Sequence, residues 1–202
     1  SGHSEVHCAA NELALSENLR QSREQRIAQL AENNNSQTEN WDLVIIGGGI
    51  TGASMLHALQ RIDINAVMVE PRALQHANVD DYRSIALSPA SKRIFTGLGV
   101  LETMAQSACA IDSIHISMQG TFGRSRMMRS HESLGYNVPM QAIRQALYAN
   151  NTIDEAIIYA DVLDIDPEKQ RVTLQSDDES FEMHYTLLVG ADGQRSRVRD
   201  AL

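Results

Sequence analysis

Gly47-Gly48-Gly49-Ile50-Thr51-Gly52 is the stretch of this chain whose residue types and spacing point most directly to chemistry. It is a G-x-G-x-x-G pattern, suited to holding a pyrophosphate. Gly47 permits a tight turn. Gly49 lets the backbone approach the phosphates, since a side chain there would collide with them. Gly52 lets the following helix lie close to the preceding strand. A helix opening at this turn adds unpaired N–H groups and the positive end of its dipole. The same reading needs an acid about 20 residues on, to accept hydrogen bonds from an adenosine ribose, and Glu70 stands there. A glycine-rich turn beside a surface Glu is the bland alternative, and the coincidence of strand, turn, helix and acid argues against it. The pattern does not choose between NAD and FAD. A second candidate, Asp192-Gly193-Gln194-Arg195-Ser196-Arg197-Val198-Arg199, reads on its own as a plain Asp-Gly turn.

The elements that must position these residues follow from the apolar pattern. Leu43-Val44-Ile45-Ile46 is a continuous apolar run, as expected of a central parallel strand covered on both faces. Ala53 to Leu59 predicts a helix, with Met55, Leu56 and Leu59 as apolar positions, and Ile64 to Glu70 predicts a second strand. Together they make a strand-turn-helix-strand unit. Ser88 before Pro89 is a helix start, and Gly97 and Gly99 are predicted to end that helix. Ile114, Ile116 and Met118 alternate with polar residues and predict a half-buried strand. Pro139 to Ala149 predicts a helix with Ile143, Ala146 and Leu147 inward. Residues 156–185 predict a small antiparallel meander, broken at Asp166-Pro167-Glu168 and Ser176-Asp177-Asp178. Leu187-Leu188-Val189 predicts a further buried strand, running into Gly190-Ala191-Asp192-Gly193. No internal repeat is evident.

Residues 1–40 differ from the rest. Ser1-Gly2-His3 resembles an expression scar, Asn11 to Glu32 favours helix with a sparse apolar stripe, and 33–40 is a polar linker. The extension is read as a frayed segment, with docking to a partner or a membrane surface as the functional alternative. The body runs from 41 to 202. With 43% hydrophobic and 21% charged residues the chain has a soluble globular profile, and a net charge of −9 argues against nucleic acid. Cys8 and Cys109 are far apart without a C-x-x-C spacing, which points to a reducing cytoplasm. No apolar run approaches a membrane span, and no secretory signal is present. His3, His7 and Cys8 lack a second ligand pair, so no metal site is expected. His115 is read as a surface or satisfied histidine. Arg124, Arg126 and Arg129 are read as a solvated loop, against an acidic lipid surface or dinucleotide phosphates. Met127-Met128 is read as core filler, against contact with a greasy substrate.

Gly190, Ala191, Asp192, Gly193, Ser196, Val198 and Arg199 fit the pattern G-A-D-G-x-x-S-x-V-R. With it the chain resembles the FAD-dependent aromatic hydroxylases related to para-hydroxybenzoate hydroxylase. Asp81-Tyr82-Arg83-Ser84-Ile85-Ala86-Leu87-Ser88, followed by Leu98-Gly99-Val100, is similar to the ubiquinone-biosynthesis branch of that family. So are Ala110 to Ser117, with Gly120 and Phe122-Gly123, and Leu134 to Val138, which resemble the 2-octaprenyl-6-methoxyphenol hydroxylases. The resemblance covers about 41–202. It implies an α/β chain with a Rossmann-like FAD-binding fold, a β-meander and part of an inserted substrate domain. It assigns to FAD Gly47, Gly49, Ile50, Thr51, Gly52, Glu70, Pro71, Arg72, Arg83, Val162, Asp192 and Gly193. The Asp192-Gly193 segment is also implied in serving the nicotinamide cofactor. A surface cation is the bland reading of Arg83. The wider family often carries Arg or Gln where this chain has Met140, a departure at one phosphate contact.

The resemblance further implies a monooxygenase in which NAD(P)H reduces FAD, and oxygen then hydroxylates an electron-rich, polyprenylated phenol. Such a substrate is membrane-soluble, so contact peripheral to the inner membrane and with other ubiquinone-biosynthesis proteins is implied as well. No residue is assigned as catalytic base. Enzymes of this family are longer and carry a G-D-A-A-H-type motif that this chain lacks. The chain is therefore expected to be an N-terminal portion, inactive by itself. The alternatives are another flavin monooxygenase or a halogenase of the same fold, or a flavin-binding or assembly subunit without catalysis.

Overall fold

The computed structural model describes residues 40–71, 82–120, 122–149, 153–176 and 179–202. The helix predicted over 11–32, most of the linker, His3, His7, Cys8, Arg72, Asp81 and the Asp177-Asp178 break lie outside them. In chain order the elements are β1 (Asn40–Ile46), α1 (Ile50–Leu59), β2 (Ala66–Val69), β3 (Ser84–Leu87), α2 (Pro89–Leu98), α3 (Leu101–Ala105) and β4 (Cys109–Ile111). There follow β5 (Ser113–Ser117), β6 (Arg124–Met128), β7 (Gly135–Pro139), α4 (Met140–Tyr148), β8 (Ile157–Ile158), β9 (Asp161–Asp166), β10 (Arg171–Ser176), β11 (Glu179–Gly190) and α5 (Arg197–Asp200). The described residues fall into two compact units, one holding 40–48, 64–71 and those from 155 onward, the other those between 49 and 63 and between 82 and 154.

The first unit is built on one sheet of order β8-β2-β1-β11-β10-β9. The apolar run of β1 sits between two parallel neighbours, β2 and β11, and Val44 and Ile45 are fully buried. This is where a strand without polar alternation belongs. β9, β10 and the first half of β11 form the predicted antiparallel meander. The second half of β11 does not begin a new strand. His184 registers with Arg171 of β10 and with Asn40 of β1, so one 12-residue strand changes partner at that residue. A single core then joins Val44, Ile46, Val67 and Val69 of the parallel strands to Val172, Leu174, Phe181 and Met183 of the meander. The expected burial of Leu187-Leu188-Val189 is corrected: Leu187 is 53% exposed, and its two successors are half-buried. An apolar run specifies a strand, but burial depends on what packs over it. Leu188 packs against this core and Leu187 stands outside it.

In the second unit α1 begins at Ile50, three residues before the predicted Ala53, because Gly49 already serves as its N-cap. Ser88 caps α2 by accepting a hydrogen bond from the Ser91 amide at 3.1 Å, with Pro89 in the first turn. Gly99, at φ +76°, closes that helix; Gly97 lies inside it and does not end it. Ile143, Ala146 and Leu147 of α4 are buried as the periodicity predicts, and they share a core with Ala53, Phe95 and Met104. β3, β7 and β4 form a three-stranded antiparallel sheet. β5 and β6 form a separate two-stranded ribbon. The expected half-burial of Ile114 and Ile116 is corrected, since all ten ribbon positions are exposed. Arg124 and Arg126 are likewise strand residues of β6, not residues of a loop. Among the described residues no helix is long and apolar enough to cross a membrane.

Candidate functional site

Three parallel strands of the first unit end in register. Ile46 of β1 stands opposite Val69 of β2 on one side and Gly190 of β11 on the other. Gly47, Glu70 and Ala191-Asp192 therefore emerge side by side at the carboxyl ends of adjacent strands, the edge where open α/β sheets bind ligands. Backbone bonds fix the three exits. The Gly47 amide donates to Val69 O at 2.8 Å, the Ala191 amide to Ile46 O at 2.7 Å, and the Glu70 amide to Ile158 O at 3.0 Å.

This crowding demands one glycine and presses on a second. Gly47 has φ +107°, and a Cβ there would stand 2.5 Å from Ala191 O and 2.8 Å from Asp192 Cα. No L side chain fits that conformation and that gap. A Cβ on Gly48 would come within 3.0 Å of Glu70 Cγ and Oε2. The bare Gly48 amide instead donates to Glu70 Oε2 at 2.5 Å. The glycine turn and the acid after β2 are thus coupled directly. The motif treats position 48 as variable, so spacing gave no sign of this contact.

The Asp192 turn is organised by its own carboxylate. Ser196 Oγ donates to Asp192 Oδ1 at 2.6 Å, and the Arg197 amide donates to Oδ2 at 2.7 Å. Ser196 Oγ in turn accepts from the Arg199 amide at 3.1 Å and caps α5. The Arg197 guanidinium donates to the carbonyl of Val162, whose side chain is buried in the core. Val162 is therefore tied to the Asp192 turn through Arg197. Gly193 is exposed within the turn at φ +80°. Pro71 is exposed after β2, and Arg72 lies outside the described residues.

In the second unit, Gly49 takes φ −65° and ψ −178° at the N-cap of α1 and supplies no side-chain cap. Its carbonyl accepts the Ala53 amide at 2.9 Å, which leaves the amides of Ile50, Thr51 and Gly52 without intrahelical acceptors. A Cβ on Gly49 would meet no protein atom within 4 Å. The protein itself therefore gives no reason for a glycine here, whereas a ligand held by these amides would. Ile50 is half-buried, Thr51 exposed and Gly52 buried. Arg83 is exposed just before β3, and its carbonyl accepts the Met140 amide at 2.8 Å.

Taken by itself, the first unit offers a glycine turn tied to an acid at the end of β2, which fits the adenosine end of a dinucleotide. Taken by itself, the second unit offers the first amides of α1 and open space at Gly49, which fit phosphates. One polar pair was not anticipated. Lys92 Nζ donates to Tyr136 Oη at 2.9 Å and lies 4.6 Å from the ring centroid. That hydrogen bond holds the Tyr136 phenol below its ordinary value and the Lys92 ammonium above its own. Lys92 belongs to no recognised motif, and the resemblance over Leu134 to Val138 gave Tyr136 no role of its own.

Comparison with known proteins gives the family. The family described as "FAD binding domain" matches residues 40–202. The chain is 31% identical over 168 residues to the FAD-dependent monooxygenase dpfgE of Gibberella zeae, covering 78% of this chain and 35% of that protein. It is 27% identical over 169 residues to the FAD-dependent monooxygenase esdpE of Penicillium shearii, covering 80% and 34%. The chain thus spans about a third of the length of these relatives. Its fold matches the crystal structure of the flavin-dependent monooxygenase PieE in complex with FAD and substrate, with a TM-score of 0.61 at 18% identity over 81% of this chain and 32% of that one.

Proposed function

Because the chain belongs to the FAD binding domain family, we propose that it is the dinucleotide-binding portion of an FAD-dependent monooxygenase. Bound FAD supplies the electron transfer and oxygen activation that side chains cannot perform. The chain's own residues bind and orient. The amides of Ile50, Thr51 and Gly52 would hold phosphate oxygens, with Gly49 bare to let them approach. Glu70 would accept hydrogen bonds from ribose hydroxyls while its Oε2 keeps the Gly48 amide. Asp192 and Gly193 would present their turn to the cofactor, and Arg83 would lie near the flavin. The observation that carries this reading is the empty space at Gly49. Gly49→Leu in the full-length enzyme should abolish flavin retention, while thermal unfolding of the flavin-free protein should show the fold retained, since a Cβ there meets no protein atom within 4 Å. Yellow protein with unchanged affinity would sink the assignment.

The finer reading is hydroxylation of a polyprenylated phenol in ubiquinone biosynthesis, with NAD(P)H as electron donor. Its support is the run Tyr82 to Ser88, the Leu98-Gly99-Val100 helix end and the Leu134 to Val138 segment. The wider reading, another flavin monooxygenase of this fold, is favoured by dpfgE and esdpE, whose names specify FAD-dependent monooxygenase and no phenol. A turnover assay of the full-length enzyme with NAD(P)H, oxygen and a short-chain prenylphenol separates them. Hydroxylated prenylphenol supports the finer reading. An inert prenylphenol alongside turnover of an unrelated ring supports the wider one.

A further inference from the structure

The end of α1 far from the glycine turn carries two side-chain donors that the proposed function does not use. Ala53, fully buried, shares a core with Ile143, Ala146 and Leu147 of α4. His57 stands four residues after Ala53, on the same face of α1, and is buried there too. Its Nε2 donates to the Leu147 carbonyl at 2.5 Å. Leu147 is the last residue but one of α4, so its carbonyl is among those that a helix end leaves without an intrahelical donor. His57 supplies that donor from a neighbouring helix. Arg61, just past the end of α1, does the same for α2: its guanidinium donates to the carbonyl of Gly97, the last residue but one of that helix.

All three helices belong to the second unit, and His57 and Leu147 are buried within it, so this tie does not depend on what lies over the unit's surface. Its leverage on the other end of α1 is geometric. Ile50 lies seven residues before His57, which is about 10 Å of helix. A pivot of about 5° at the His57 end would move the first amides of α1 by about 1 Å, whereas a binding constellation must be held within about 0.5 Å. Ala53, Leu56 and Leu59 hold α1 down by apolar burial, which has no preferred direction. A hydrogen bond has one, and it fixes the angle that burial leaves free.

We propose that His57 is a positioning residue for the cofactor. By fastening the far end of α1 to the carboxyl end of α4, it aims the amides of Ile50, Thr51 and Gly52 at the phosphates. Arg61 is the second fastening. His57 touches neither cofactor nor substrate and acts only through α1. The role rests on the proposed function and adds to it a part of the chain that lies outside the glycine motif.

The test is FAD titration of the full-length protein at a temperature where circular dichroism shows every variant folded. His57→Leu should raise the dissociation constant about tenfold, the loss of about one charge-assisted bond to phosphate. His57→Gln keeps a side-chain N–H donor and should recover most of the affinity. Met104→Ala, in α3 of the same core, serves as the control for stability alone. It should lower the unfolding midpoint as far as His57→Leu does and leave affinity within about twofold. In flavin-free protein, the amides of residues 53–59 should exchange faster in His57→Leu than in Met104→Ala. An unmodified protein that takes no FAD overturns the cofactor reading, and this proposal with it. FAD bound equally by the unmodified protein and His57→Leu overturns the proposal alone. So does an equal loss of affinity in Met104→Ala, which would reduce His57 to a contributor to stability. Should His57→Leu not fold, Arg61→Met removes the second fastening while keeping an apolar stem. It should weaken binding about threefold, and an unchanged dissociation constant would overturn the proposal.

Discussion

Removal of the Glu70 carboxylate tests two roles at once. Its Oε2 takes the amide of buried Gly48 at 2.5 Å, so it holds the glycine turn before any cofactor arrives. A hydrogen bond to a charged group contributes about 1.5–3 kcal/mol. Glu70→Ala should lower unfolding stability by about that amount. With a urea slope of about 2 kcal/mol per molar, the midpoint should fall by about 1 M. Glu70→Gln keeps an acceptor oxygen and a neutral bond of about 0.5–1.5 kcal/mol, so its midpoint should lie between the two. FAD titration reads the other role. Loss of charge-assisted bonds to ribose hydroxyls should weaken affinity roughly 10- to 100-fold in the Ala variant. A fallen midpoint with unchanged affinity would confine Glu70 to the turn. Both quantities unchanged would refute the reasoning altogether.

Three other outcomes follow from the geometry. Gly47→Ala forces a Cβ to 2.5 Å from Ala191 O at φ +107°, so soluble folded protein should be lost or its melting temperature should fall sharply, by the strain and clash together. A melting temperature like that of the unmodified chain would contradict the turn. The side chain of buried His57 donates from Nε2 to Leu147 O, and His57→Leu should cost about 1–3 kcal/mol in urea unfolding by leaving that carbonyl without its donor. In an alkaline absorbance titration Tyr136 should ionise below the ordinary tyrosine value, held low by the Lys92 hydrogen bond, and Tyr185 above it, held high by burial. Tyr136 then adds stability above the ordinary tyrosine value and loses it as pH falls through its own lowered one. Tyr185 adds stability below the ordinary value and loses it as pH rises through its own raised one. Lys92→Met should move the Tyr136 ionisation up, and an unmoved curve would remove the pair from the account.

The parts of the fold that were legible in the sequence rest on local rules. The apolar run of β1, the Ser88-Pro89 helix start, the Gly99 stop and the inward row Ile143, Ala146, Leu147 each need only neighbours in the chain. The illegible parts depend on partners distant in sequence. β11 was read as a meander strand and a separate buried strand because nothing local marks His184 as the point where one strand exchanges β10 for β1. Alternation at Ile114 and Ile116 specified strand geometry, but no local signal says whether a covering layer exists. Gly97 looked like a stop because glycine weakens helices, yet at that position the cost is only about 1 kcal/mol and tertiary packing overrides it. The candidate site divides in the same way. Gly47, Gly49 and Glu70 are visible by spacing and Asp192 by the family resemblance, whereas the tie from Gly48 to Glu70 and that from Arg197 to Val162 exist only once the strands are in register.

That second layer of contacts bears on how a dinucleotide would be held. Glu70 and Asp192 are the acids that follow β2 and β11, the two strands that flank β1, and each already spends an oxygen on a backbone amide. An ionised carboxylate offers about four lone-pair sites, so neither acid is exhausted by this use. The contacts remove rotamer freedom instead. An immobilised side chain costs about 0.5–1.5 kcal/mol when it must be ordered at the moment of binding. Here folding has already ordered both acids, together with the turns they brace. Binding would then have little side-chain entropy to overcome at Glu70 and Asp192, and the acids would act as much by positioning amides as by touching the cofactor.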